Sequence, residues 1–202
     1  MNFTYKQIWL INYPVMMSVL VEQLINITDA IFLGHVGETE LGASAIAGMY
    51  YLSLYILGFG FSLGLQVMIA RRNGERRPAE TGKVFFQGLF FLTTLALSLV
   101  TLSKVFTPLI LQHLLTSTEI YEAVIQYLDW RTFGLFFAFP MLAFRAFFVG
   151  ITKTRVLTAS AITLASMNVL LNYLLIFGAG KIPALGISGA AMALSLIHIS
   201  EP

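Results

Sequence analysis

The 202-residue chain has no cysteine, and only 11% of its residues are charged, less than half of the roughly 25% found in ordinary soluble domains. The first absence excludes disulfides, thiolate-held zinc and thiol nucleophiles. The second excludes an ordinary soluble fold, whose whole surface needs charge. HExxH does not occur, and the one GxSxG string, Gly60-Phe61-Ser62-Leu63-Gly64, lies inside a long apolar run with no preceding strand to make a nucleophile elbow, so neither metalloprotease nor serine-hydrolase chemistry is supported. His35, His113 and His198 have no metal-ligand spacing, and Gly58, Gly60 and Gly64 have no preceding strand to make a nucleotide-binding loop. The chain is expected to be no enzyme and to carry no bound cofactor. What is plentiful is apolar: 57% of residues are hydrophobic, in runs far longer than a buried core helix requires.

Six runs stand out against a spanning minimum of about 20 residues: 8–33, 41–70, 84–106, 120–149, 156–177 and a short last one, 187–196. Lipid offers the backbone no partner, so each run is predicted to be helical. Turns are predicted at Gly34-His35-Val36-Gly37, over 71–78, at Thr107-Pro108, at Lys153 and over 178–183. Within the fourth run, 119–131 mixes polar and apolar residues and reads as an interfacial turn on the outer side, while Gly134 and Pro140 predict a bend. Gly60 and Gly64 are spaced for close helix packing. The fold class is therefore an all-α membrane protein, a six-helix transmembrane bundle with its last helix cut short. After Leu196 the chain turns to Ile197-His198-Ile199-Ser200-Glu201-Pro202, so 197–202 reads as a non-native tail.

Lysine and arginine set the orientation. Lys6, the cluster Arg71, Arg72, Arg76, Arg77 and Lys83, and the pair Lys153 and Arg155 fall on one side, whereas the alternate loops hold Lys104 and Lys181. The positive-inside rule makes the N-terminus cytoplasmic. The same rule accounts for the basic cluster without a nucleic-acid ligand. Lys6 does not open a secretory signal, because the run after it is too long, is interrupted by Asn12, Pro14 and Glu22, and ends in no small-residue cleavage pattern. Arg145, near the cytoplasmic end of its span, is expected to snorkel.

Asp29 is the costly residue. An unpaired aspartate at the middle of a spanning helix costs roughly 2.5–3.5 kcal/mol, so such a group usually faces a protein interior and marks an ion or substrate path. At 100° per residue, Ser18 and Glu22 each lie about 20° from Asp29 and Asn26 about 60° away, which makes a polar stripe on the first span. On the fifth span, Ala161, Ala165, Asn168 and Asn172 share a face, with Thr158 close by. The first and fifth spans run in the same direction. Asp29 and Asn172 lie about 8 and 9 Å before the glycines that end their helices, at 1.5 Å per residue, so they can share one layer. A carboxylate with two carboxamides suits a proton or a hard monovalent cation such as Na⁺, though asparagines also join helices by hydrogen bonds alone. Glu22, about 10.5 Å deeper, is either a second titrating station or half of an ion pair. Tyr50, Tyr51 and Tyr55 offer cation–π faces to an organic cation or simply pack; with Asn26 they complete the candidate substrate contacts.

These residues carry a resemblance. Pro14, then Asp29-Ala30-Ile31-Phe32-Leu33-Gly34-His35-Val36-Gly37, then the stretch from Asn168 through Asn172 to Gly178, and Gly186-Ile187-Ser188-Gly189-Ala190-Ala191 resemble the MATE (multidrug and toxic compound extrusion) transporters. The resemblance implies that 1–196 is the N-terminal lobe of a twelve-helix antiporter with a second, C-terminal lobe as its partner. It implies export of cationic or amphipathic compounds across the cytoplasmic (inner) membrane, driven by Na⁺ or H⁺. It also implies that Asp29, Asn168 and Asn172 belong to the cation site. Some archaeal-type members have a second aspartate where this chain has Asn172, as NorM-like bacterial members do. An amide does not titrate in the working pH range, so protonation in this layer falls on Asp29. Two other functions compete: a flippase for lipid-linked precursors, which calls for a strongly cationic cavity, and a membrane interaction or receptor subunit whose polar stripes only pack.

Overall fold

The computed structural model describes residues 4–178 and 183–197, and these form seven helices and no strand. In chain order they are α1 (Tyr5–Val36), α2 (Glu38–Gly74), α3 (Pro78–Leu114), α4 (Thr118–Arg131), α5 (Leu135–Gly150), α6 (Arg155–Ile176) and α7 (Gly186–Ile197). Helices α1, α2, α3 and α6 are each long and apolar enough to cross a membrane alone. The α4–α5 pair meets that test together, bent by 49°, and Gly186–Leu196 is a shorter apolar helix. Lys181, His198 and the 197–202 tail beyond Ile197 lie outside the described residues.

Three predicted breaks move. The turn expected over Gly34–Gly37 shrinks to Gly37 alone, because His35 returns its ring nitrogen to the Ile31 carbonyl at 2.7 Å and α1 continues to Val36. Helix α3 passes through Thr107-Pro108 to Leu114; a proline removes one donor, and a spanning helix tolerates it where side chains and neighbours compensate. The bend in the fourth span falls over 132–134, with Pro140 inside α5 rather than at the break. Gly134 explains the position. A Cβ there would lie 2.9 Å from Ser195 Oγ and 3.2 Å from Ser195 Cα, so the bare glycine lets the chain turn against α7.

Helix α1 packs mainly on α6, while α5 packs on α2 and α3, and α4 joins α2 and α7. Two apolar clusters follow from this division. One gathers Leu33, Ala47, Val124, Leu128, Leu164 and Ala190, the other Leu65, Ile69, Leu92, Leu135 and Phe139. Close approach in the second rests on Gly58, where a Cβ would come within 2.6 Å of the Phe139 ring. Gly60 and Gly64, expected to pack helices, meet nothing within 4 Å and instead line a groove of about 570 Å³ between α2 and α3. They fall on the other side of α2 from Gly58.

The polar ends close locally. Arg72 pairs with Glu75 at 2.9 Å and with Glu80 at 3.2 Å, and Arg77 with Glu80 at 3.2 Å. The hydrogen bond from Arg72 holds the Glu75 carboxyl below the usual carboxylate range. At the other end, Lys104 meets Asp129 at 2.5 Å and Thr39 donates to Glu119 at 3.4 Å.

Candidate cation site and central cavity

The register between α1 and α6 is set by two hydroxyls. Thr154 donates to the Ile11 carbonyl at 3.0 Å, and Thr158 to the Pro14 carbonyl at 2.9 Å. The Pro14 carbonyl thus has a donor from the neighbouring helix. Carried four turns along both helices, this register sets Asp29 opposite Asn168 and Asn172. The Asn168 Nδ2 donates to Asp29 Oδ1 at 3.1 Å, and Asn172 Nδ2 donates to the same oxygen. Asn172 Nδ2 also reaches Asn168 Oδ1 at 3.1 Å. Asp29 is 6% exposed and both asparagines are fully buried.

The amides turn the opposite way from a cation cage. Of the two roles open to the asparagines, oxygen ligands or hydrogen bonds between helices, the structure shows the second: the N–H groups face the carboxylate, which suits a bare anion through charge-assisted hydrogen bonds. One oxygen is used internally, on Asn168. The other, Asn172 Oδ1, is buried with no hydrogen-bond partner, as is the Tyr51 hydroxyl. An unmet buried acceptor costs about 1–3 kcal/mol. A proton or cation arriving at Asp29 removes the need for both donors and makes an acceptor useful. The layer therefore holds the ingredients of two arrangements, with amide N–H groups toward an anion or amide oxygen toward a cation.

Asp29 is at the wall of a cavity of about 770 Å³. The cavity lies between α1 and α6 on one side and α2, α4 and α5 on the other, and Ser18, Glu22, Asn26, Tyr51, Tyr55, Tyr127, Arg131 and Arg145 line it. Asn26 is exposed and hydrogen-bonded to Gln23 at 3.4 Å. The Tyr55 ring stacks between Tyr51 and Phe59, at 6.1 and 6.4 Å between centroids. Tyr50 is not at the cavity: its hydroxyl bonds Thr107 at 2.5 Å and Ser103 at 3.4 Å on α3. Successive helix positions are about 100° apart, so Tyr51 and not Tyr50 takes the inward place.

Of the two cavity arginines, Arg145 departs from expectation. Arg145 turns into the cavity and pairs with Glu22 at 2.6 Å, so Glu22 is half of an ion pair and Arg145 does not snorkel. Arg131, near the other end of the same span, lies 4.0 Å over the Tyr51 ring, donates to the Leu194 carbonyl at 3.2 Å and is within electrostatic reach of Asp29. Tyr127, which sequence reasoning passed over, shares that reach. Its signal was its place one helical turn before Arg131 on the same face. Three carboxylates, Glu22, Asp29 and Glu38, and two guanidiniums line the cavity, which is not strongly cationic. Among the described residues no three His, Asp or Glu side chains gather as a metal cluster.

The family model described as MatE matches residues 14–174 of this chain. The chain belongs to the MatE family. The matched stretch holds Asp29, Asn168 and Asn172 as well as the cavity-lining Arg131 and Arg145. Among curated relatives, the probable multidrug resistance protein NorM of Geobacillus kaustophilus is 23% identical over 197 residues, covering 98% of this chain and 43% of the relative. Its namesake from Agrobacterium fabrum is 26% identical over 195 residues, 96% of this chain and 42% of the relative. A solved multidrug resistance MATE transporter of the MOP superfamily in its outward-facing conformation has a TM-score of 0.88 and 20% identity, covering 99% of this chain and 46% of that one. That likeness gives the MatE chain its fold, a multi-pass helical membrane lobe. The chain spans about two-fifths of the length of these curated relatives.

Proposed function

We propose that this chain is the N-terminal lobe of a cation-coupled antiporter that exports organic cations and amphipathic drugs across the cytoplasmic membrane, with its N-terminus in the cytoplasm. One observation carries the reading: a buried carboxylate, Asp29, held by two amides of α6 beside a large cavity. A group this costly to bury, next to space of that size, suits an ion site coupled to a substrate site. Loading Asp29 with H⁺ or Na⁺ changes which atoms of Asn168 and Asn172 it prefers. A shift of that kind biases the lobe between arrangements only if they differ in affinity for the ion. The names of the NorM relatives, multidrug resistance proteins, point the same way. The excess of carboxylates over guanidiniums in the cavity favours cationic cargo over the phosphate of a lipid-linked precursor.

The test uses the 202-residue protein in lipid nanodiscs with tetraphenylphosphonium as the probe. The wild type should bind the probe, and binding should respond to Na⁺ or to acidification. Asp29→Asn should bind it with neither response. An Asp29→Asn variant that keeps the wild-type ion dependence refutes the coupling role.

A further inference from the structure

Helices α1 and α5 are not principal packing partners, so the Glu22–Arg145 bond at 2.6 Å crosses the cavity instead of reinforcing a packed seam. The pair lies two helical turns from Asp29 and links the α1–α6 side to the α2–α3–α5 side. Its side chains are 43% and 26% exposed, and a bond so placed contributes little to folding. The other carboxylate of the same stripe is already committed, since Asp29 Oδ1 receives both amides. The other guanidinium, Arg131, is committed to the Tyr51 ring and the Leu194 carbonyl. Among the described residues, the cavity charge pair that a ligand can separate without stripping a buried hydrogen-bond network is therefore Glu22 with Arg145.

We propose that Glu22 is a second binding station, for the cationic group of an organic ammonium or phosphonium ligand, and that Arg145 is its built-in counter-ion, displaced when the ligand enters. Tyr51, Tyr55, Ile25 and Leu142 line the same cavity and add apolar surface suited to the ligand's body. Displacement exchanges one ion pair of Glu22 for another and leaves the Arg145 guanidinium, 26% exposed, to solvation in the cavity. The inference rests on the proposed transport of organic cations and adds to it a site that does not involve the coupling ion. It predicts effects of opposite sign from the two halves of one bond.

Tetraphenylphosphonium binding by the full 202-residue chain in nanodiscs decides the matter. Glu22→Gln should weaken binding by about fivefold, the scale of one part-exposed charge contact. Arg145→Gln should tighten it, because the competing cation is gone. The double variant should match Glu22→Gln, because Arg145 acts only through Glu22. A merely structural pair would make both single variants weaken binding alike or leave it unchanged, and either result overturns the proposal. If Glu22→Gln does not fold, the sign of Arg145→Gln alone decides. A wild-type chain that binds no probe refutes the transport reading itself, whereas a binding wild type with unresponsive variants refutes only the second station.

Discussion

Asn168→Ala and Asn172→Ala make a matched pair of perturbations. Both side chains are fully buried, so the voids they leave are alike and their cost cancels in the comparison. Each substitution removes one bond to the Asp29 carboxylate, about 1.5–3 kcal/mol, and the shared Asn172–Asn168 bond, about 1 kcal/mol. They differ in what remains. Asn168→Ala keeps the partnerless Asn172 oxygen and also strips an acceptor from the Asn172 amide. Asn172→Ala removes that oxygen and leaves the Asn168 oxygen unmet instead, so one fewer polar group goes unsatisfied. Asn168→Ala is therefore expected to lose about 1 kcal/mol more than Asn172→Ala. For a chain of this size that difference is about 2–4 °C in melting temperature. Thermal unfolding of the two purified variants in the same detergent at neutral pH measures it. A melting temperature for Asn172→Ala equal to or below that of Asn168→Ala refutes the assignment of Asn172 Oδ1 as the unmet atom of the layer.

The α2 glycines separate packing from open space: Gly58→Ala should cost about 1–3 kcal/mol against the Phe139 ring, while Gly60→Ala should be neutral or raise the melting temperature slightly. The absence of cysteine makes topology direct to read. Single Ala79→Cys and Thr116→Cys variants, both at exposed positions near helix ends, should react with a membrane-impermeant thiol reagent from opposite faces, Ala79→Cys from the cytoplasm. Labelling of both from the same face would overturn the orientation drawn from the lysine and arginine distribution.

In a membrane chain the usual contrast between a dry face and a wet face fades, because lipid and protein interior are both apolar. Large residues such as Phe90 and Val67 are exposed here, so apolar periodicity says little about which side of a helix is inward. Polar residues recover that information, since lipid repels them. Ser18, Asp29, Asn168 and Asn172 were placed on inward faces by spacing alone, and counting residues to the helix ends put Asp29 and Asn172 at one depth, where the structure brings their side chains into contact. The same reasoning stops where a side chain is long. An arginine reaches several ångströms from its own backbone, and helical angle does not decide between snorkelling outward and reaching across a cavity; Arg145 finds Glu22 123 residues away in sequence. Glycines mislead for the converse reason. Gly58 and Gly60 are identical in what they lack, and only the ring opposite distinguishes a packing position from an empty one. The cavity follows from both effects. Its buried Asp29–Asn168–Asn172 layer is written in short polar side chains that spacing can place, while Glu22, Arg131 and Arg145 are long ones whose partners appear only when the helices are assembled.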